Sequence, residues 1–164
     1  MTLRGNEFRT NGQLPAVGMQ APDFKLVDAE LADRSLVDFK DKKKLLSIVP
    51  SLDTHVCAVS TKKLNDFAKE REDAVFLIVS ADLPFAQGRF CKNESIKNVV
   101  LLSMMRSRNF AKDYGVLLQD GPLAGVTARA IVVIDEENKI VYTQLVNEVS
   151  DEPDYDAVLA ALAS

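Results

Sequence analysis

The sequence predicts an α/β sandwich, in which a central mixed β-sheet is flanked by helices and preceded by an N-terminal β-hairpin. Three observations carry that expectation. Residues 44–49 (KLLSIV) and 74–79 (AVFLIV) are short and almost unbroken apolar runs, the pattern of strands covered on both faces. Capping residues and apolar side chains at helical spacing follow the first run, so strands alternate with helices. Towards the C-terminus, residues 130–134 and 140–145 flank the polar loop 135–139, and a helix closes the chain, which adds an antiparallel hairpin to a parallel core.

In chain order, residues 1–12 are expected as a short hairpin, because Gly5-Asn6 supplies positive φ between the alternating stretches 2–4 and 7–10. Two prolines and a glycine within 14–22 mark a loop. Residues 24–27 and 35–38 are expected as short strands. Lys42-Lys43-Lys44 reads as a solvated entry to the strand 44–49 rather than a binding patch, and Pro50 ends that strand by removing the next ladder donor. Ser51-Leu52-Asp53-Thr54 then offers capping side chains, and Val56, Val59, Leu64, Phe67 and Ala68 follow at helical spacing, which puts Cys57 in the first turn of a helix. Residues 82–90 are expected as a short helix weakened by Gly88, and 99–103 as a strand. Residues 108–114 make a helical turn or two closed by Gly115 at C′. Pro153 opens a last helix whose Tyr155, Val158, Leu159 and Leu162 line one face. No repeat, low-complexity tract or linker interrupts the 164 residues, so one domain over 1–164 is expected, with the element order of a thioredoxin-like sandwich.

Composition narrows the function. Apolar residues at 47% and charged residues at 27% are those of an ordinary globular protein. A net charge of -4 leaves no excess of cations to neutralise phosphates, so nucleic acid is not an expected partner. The N-terminal residues 1–10 are polar, with Arg4, Glu7 and Arg9, and no segment approaches the ~20 apolar residues that span a bilayer, so a cytoplasmic protein without a membrane association is expected. In that reducing setting the two cysteines are more often catalytic, redox-sensing or inert than structurally bonded.

A thiol is a weak nucleophile until it loses its proton, and a first-turn position sets Cys57 against unpaired backbone N–H groups and the positive end of the helix dipole, both of which favour an anion. Thr54, three residues earlier, is placed either to bring its hydroxyl near the sulfur or simply to cap the helix, and the two roles are compatible. Taken alone, Cys57 also fits a small buried hydrophobe, and Cys91 a thiol packed beside Phe85 and Phe90. His55, the single histidine, is read as a loop residue without a chemical role, since neighbours on a turn point apart. Two cysteines and one histidine, with no C-x-x-C pair, are too few soft ligands for a closed zinc site, and no metal, haem or flavin is implied.

The octapeptide from Pro50 to Cys57 (PSLDTHVC) resembles the peroxidatic-cysteine motif of peroxiredoxins, whose core is a proline, a threonine three before the cysteine, and the cysteine. The subfamily it resembles is that of the thiol peroxidases, atypical two-cysteine peroxiredoxins. Residues 18–24 (GMQAPDF), 85–91 (FAQGRFC) and 121–130 (GPLAGVTARA) support that choice, so the likeness runs almost end to end. The resemblance implies an active site of Pro50, Thr54, Cys57 and Arg129, with Cys91 as the resolving thiol. It also implies a peroxide substrate, an intramolecular Cys57–Cys91 disulfide, thioredoxin as reductant, an antioxidant role and a homodimer. A guanidinium beside the sulfur suits that chemistry, though Arg129 by itself reads as a surface arginine at a strand start. The family more often has a small residue or proline where His55 stands. Two rivals remain at this stage. A disulfide oxidoreductase is disfavoured because the thiols stand 34 positions apart rather than in C-x-x-C. A redox-inert binding or chaperone module is disfavoured by the joint presence of Thr54, Arg129 and both cysteines.

Overall fold

A computed structural model describes residues 1–163; Ser164, the last residue of the expected domain, lies outside them. The chain begins with β1 (Thr2–Leu3) and β2 (Asn6–Glu7), paired antiparallel with Leu3 opposite Asn6. The turn is Arg4-Gly5, both at positive φ (51° and 82°), one residue earlier than the expected Gly5-Asn6. The Glu148 carboxylate decides this register: it accepts the Thr2 hydroxyl at 2.5 Å and the Arg4 N–H at 2.9 Å. The hairpin is also shorter than the expected 1–12, because Thr10 bridges to Leu118 and the Asn11 N–H donates to the Leu117 carbonyl.

Next come β3 (Leu26–Val27) and β4 (Asp33–Arg34), then a 3-10 turn over Leu36–Phe39. Residues 35–38 are therefore not a strand. Ser35 and Asp38 form a capping box, with the Ser35 N–H donating to the Asp38 carboxylate at 2.8 Å, and a local helical turn outcompetes extension.

The core follows as β5 (Lys43–Ile48), α1 (His55–Ala68), β6 (Ala74–Ser80), α2 (Pro84–Glu94), β7 (Val100–Ser103), α3 (Asn109–Asp113), β8 (Ala130–Ile134), β9 (Ile140–Leu145) and α4 (Tyr155–Ala163). The sheet order is β4-β3-β7-β6-β5-β8-β9, with β5, β6 and β7 parallel and the remaining pairs antiparallel. This is the expected mixed sheet between helices. Alternate strand residues feed two separate cores. Leu46, Ile48, Leu77, Val79, Val132 and Ile134 join Phe24, Phe110 and Tyr114 on one face. Leu45, Val49, Phe76, Ile78, Ile131 and Val133 meet Cys57 and Leu64 of α1, Phe90 of α2 and Val158 and Leu162 of α4 on the other.

Two local features depart from the expected pattern. Helix α2 starts later and ends later than 82–90: Pro84 takes the first helical position, where its missing N–H costs nothing, and Ser95 closes the helix with φ 56°. Cys91 thus lies inside the helix. Lys44, expected in solvent, is fully buried at the head of β5. The 135–139 loop folds over it, so that Nζ donates to Asn138 Oδ1 at 2.6 Å and to the Asp135 carbonyl at 3.3 Å. Its burial pushes the ammonium below the ordinary lysine range. Gly115 holds φ +68° after α3, and a Cβ there would stand 2.1 Å from the Gln13 carbonyl oxygen, so both shape and backbone require glycine.

Candidate active site

Pro50, Thr54 and Cys57 sit on the connection from β5 to α1. The Val49 N–H still donates to the Val79 carbonyl at 3.0 Å, and buried Pro50 then turns the chain out of the sheet. The Ser51 carbonyl accepts both the Thr54 N–H at 3.2 Å and the Thr54 hydroxyl at 3.1 Å. Thr54 is the N-cap of α1, and its Oγ1 accepts the Cys57 N–H at 3.4 Å. Cys57 is therefore the third helical residue, as its sequence context predicts, and it is wholly buried against the apolar cluster of α1, α2 and β8. His55 is exposed on the outside of the same turn.

Arg129 reaches this place through strand register. Ile48 pairs with Ala130, so the next step of the antiparallel ladder sets Arg129 beside Val49, and the Thr127 hydroxyl pins that junction by donating to the Val49 carbonyl at 3.1 Å. Alternation puts Arg129 on the face of Ile131 and Val133, the face that packs against Cys57. It is 2% exposed, not a surface residue. Nε donates to the Val149 carbonyl at 3.0 Å, whereas Nη1 is buried without a partner among the described residues. A buried guanidinium donor left open is costly unless something accepts from it.

Cys91 is half-buried and contributes to the same apolar cluster as Cys57, and both thiols are free. Its burial pushes the thiol upward from the ordinary cysteine range. The two sides of α2 face different spaces. Ala86, Arg89, Phe90 and Asn93 look across a groove of about 210 Å³ at Thr54 and His55. Cys91, with Gln87 and Gly88, lines a separate cleft of about 300 Å³ that also borders Asp28, Arg34 and Leu101. A wider cleft of about 610 Å³, bordered by Asp23, Arg106 and Asp113, contains none of the predicted residues. Among the described residues no three His, Cys, Asp or Glu side chains gather as metal ligands.

A polar cluster that sequence reasoning missed lies next to this site: Ser51, Ser80, Asp82, Gln87 and Ser103. Its signal was available, since a serine or aspartate stands at or just after the C-terminal end of each parallel strand, the end where α/β sheets place their sites.

Comparisons with known proteins establish the family and the fold. The redoxin family model matches residues 16–159. A thiol peroxidase of Corynebacterium glutamicum is 50% identical over 160 residues, which cover 98% of this chain and 96% of the relative. Among solved structures, a peroxiredoxin-like protein from Aquifex aeolicus superposes with a TM-score of 0.93 at 40% identity, covering 99% of this chain and 95% of that one. A thiol peroxidase from Chromobacterium violaceum superposes with a TM-score of 0.89 at 30% identity, covering 97% and 93%. Among the described residues, no helix is long and apolar enough to cross a membrane.

Proposed function

Since this chain belongs to the redoxin family and, within it, to the peroxiredoxin-type thiol peroxidases, we propose that Cys57 attacks the peroxide and Cys91 resolves the product. The Cys57 thiolate attacks one oxygen of ROOH; the S–O bond forms as the O–O bond breaks, and the electron pair leaves with RO⁻, which is protonated to ROH. The Cys91 sulfur then attacks the Cys57 sulfenic acid, forming the disulfide and releasing hydroxide, which takes the Cys91 proton and leaves as water. A thioredoxin-type dithiol returns the pair to two thiols by exchange and is itself oxidised to a disulfide.

The observation that carries this reading is that Cys57, in the first turn of α1, shares a cluster with Ile131 and Val133 of β8, the strand face on which strand alternation places Arg129, itself buried with Nη1 open. The helix N-terminus favours negative charge on sulfur, and the open guanidinium donor suits the oxygen on which charge develops as the O–O bond breaks. Thr54 caps the turn that holds the sulfur, and on this reading the buried Pro50 shapes the loop and keeps water from the thiolate. Substrates on this reading are hydrogen peroxide and organic hydroperoxides. On this reading the setting is the cytoplasm, where the pair is returned to thiols after each turnover. The exposed Leu83 and Phe85 at the start of α2, 50% and 69% accessible, support a homodimer contact.

The test is NADPH oxidation in the presence of thioredoxin, thioredoxin reductase and a panel of peroxides, run beside mass mapping of the reduced chain after one equivalent of peroxide. The expected result is turnover and a single Cys57–Cys91 disulfide. Peroxide that leaves Cys57 unmodified rejects the reading.

A further inference from the structure

Polar side chains from three strand ends and one helix meet beside the Cys57 loop. Asp82 is the hub. Its Oδ1 accepts the Ser51 hydroxyl at 2.7 Å, and its Oδ2 accepts the Leu52 N–H and the Ser80 hydroxyl, both at 2.8 Å. The Ser80 Oγ in turn accepts Gln87 Nε2–H at 3.1 Å, and the same Nε2 donates to the Leu102 carbonyl at 3.0 Å. Ser103 ties the Asp82 backbone by donating its hydroxyl to the Asp82 carbonyl at 2.6 Å. Every hydroxyl proton of this cluster has one acceptor, and both Gln87 amide protons are used, so the chain of bonds has a single consistent direction from Gln87 through Ser80 to the Asp82 carboxylate.

The two ends of that chain matter differently. At one end stand Ser51 and Leu52, the residues that lead into the Thr54 cap and Cys57. At the other stands Gln87, one helical turn before Cys91 on the same face of α2 and bordering the same cleft. Cys91 faces that cleft, whereas the groove beside Thr54 is lined by the neighbouring face of α2. On the Cys57–Cys91 reading, we infer that this part of α2 turns or unwinds to bring the Cys91 sulfur out of that cleft to Cys57, which pulls Gln87 off Ser80 and Leu102.

We propose that Asp82 is a positioning residue that couples the two half-reactions: through Ser51 and Leu52 it holds the Cys57 loop in its attacking geometry, and through Ser80 and Gln87 it restrains the helix that must release Cys91. The coupling rests on the Cys57–Cys91 reading above. Its consequence is a pair of opposite effects. Weakening the hub slows oxidation of Cys57, because the loop loses its anchor, and speeds disulfide formation, because the helix loses its restraint.

The experiment uses the full chain with Asp82→Asn, Ser51→Ala and Gln87→Met, each verified as folded by thermal unfolding. Two rates are read after a hydrogen peroxide pulse: formation of the Cys57 sulfenic acid, in a Cys91→Ser background, and formation of the disulfide, by acid quench and mass analysis. Asp82→Asn is expected to slow the first about tenfold, the scale of a hydrogen bond to a charged group, and to raise the second several-fold. Ser51→Ala should change only the first rate and Gln87→Met only the second, a division that general loss of stability does not produce. Wild-type rates in all three variants, or both rates moving in the same sense in each, overturn the coupling alone. A wild-type chain that consumes peroxide without forming the disulfide overturns the functional reading and the coupling with it.

Discussion

The Thr54 hydroxyl lies between two backbone groups of the Cys57 turn, donating to the Ser51 carbonyl at 3.1 Å and accepting the Cys57 N–H at 3.4 Å. Valine keeps the shape and loses both bonds, so Thr54→Val is expected to cost about 1 kcal/mol, the usual worth of an N-cap. It should also slow oxidation of Cys57 by peroxide more than alkylation by iodoacetamide, because only the peroxide needs its oxygens oriented. Thr54→Ser, which keeps the hydroxyl, should restore both properties. Thermal unfolding and the two second-order rate constants check this; equal losses with both reagents would reduce Thr54 to a cap.

Division of labour between the thiols gives a second expectation. Cys57→Ser should abolish peroxide consumption, while Cys91→Ser should react once and then stop with thioredoxin as donor. Stoichiometric and steady-state assays on the two variants separate these outcomes. Sustained thioredoxin-dependent turnover by Cys91→Ser would remove Cys91 from the resolving role.

Arg129 is held by its Nε bond to Val149 and leaves Nη1 open, so the fork is oriented before substrate arrives. Lysine retains a charge but not the oriented fork. Arg129→Lys is expected to slow peroxide reduction by about a hundredfold, as removal of an aimed donor does at other charge-developing sites. Stopped-flow oxidation of the variant measures it, and a loss under twofold would leave only a packing role.

Gly88 is exposed within α2, and a Cβ there meets nothing within 4 Å. Alanine should therefore stabilise the helix by about 1 kcal/mol. If Cys91 moves by local unwinding of α2, Gly88→Ala should slow disulfide formation about fivefold, the same 1 kcal/mol expressed as a rate, and leave Cys57 oxidation unchanged. Amide exchange across α2 should fall in reduced Gly88→Ala relative to the wild type. An unchanged disulfide rate with a demonstrably slower exchange would separate resolution from helix opening.

Glu148 anchors the N-terminal hairpin, and the Thr2 hydroxyl and the Arg4 N–H hold its carboxyl down at about 2, below the ordinary 4.5. A carboxyl depressed in the folded state contributes stability that is complete above its unfolded value and is lost as pH falls through the folded one. Protection of the Arg4 and Gly5 amides should thus be constant above about pH 5 and fall between pH 4.5 and 2. Glu148→Gln should flatten that profile, as NMR exchange measurements would show; a profile that persists in the variant would assign it to another group.

Much of this was legible in sequence because the signals are local. The apolar runs behind β5 and β6, the Pro50 stop, the Thr54 cap and the first-turn place of Cys57 depend on residues within a few positions of one another, and backbone sterics and capping act over that range. The β8–β9 hairpin matched its expected limits for the same reason. Where two local signals competed the outcome was harder to read: the Ser35–Asp38 box overrode a short extended stretch, and Pro84 marked a helix start that a window opening at residue 82 passed over.

Tertiary structure alone decided the rest, because burial and long-range partners are not properties of a sequence window. Glu148, far along the chain, selected the Arg4-Gly5 turn. The 135–139 loop buried Lys44 by supplying carbonyl acceptors for a cation that the sequence left in solvent. The register of β5 with β8 turned Arg129 from an apparent surface residue into a buried one beside the Cys57 turn. Which cleft Cys91 faces, and the bonds that join Ser51 to Gln87 through Asp82, exist only once three strand ends and a helix are packed together. The sequence by itself determined which residues can do thiol chemistry and where on a strand–turn–helix junction the first thiol sits. Packing decided which of those residues meet, since a hydrogen bond or a shared face forms only when the chain has closed the distance between them.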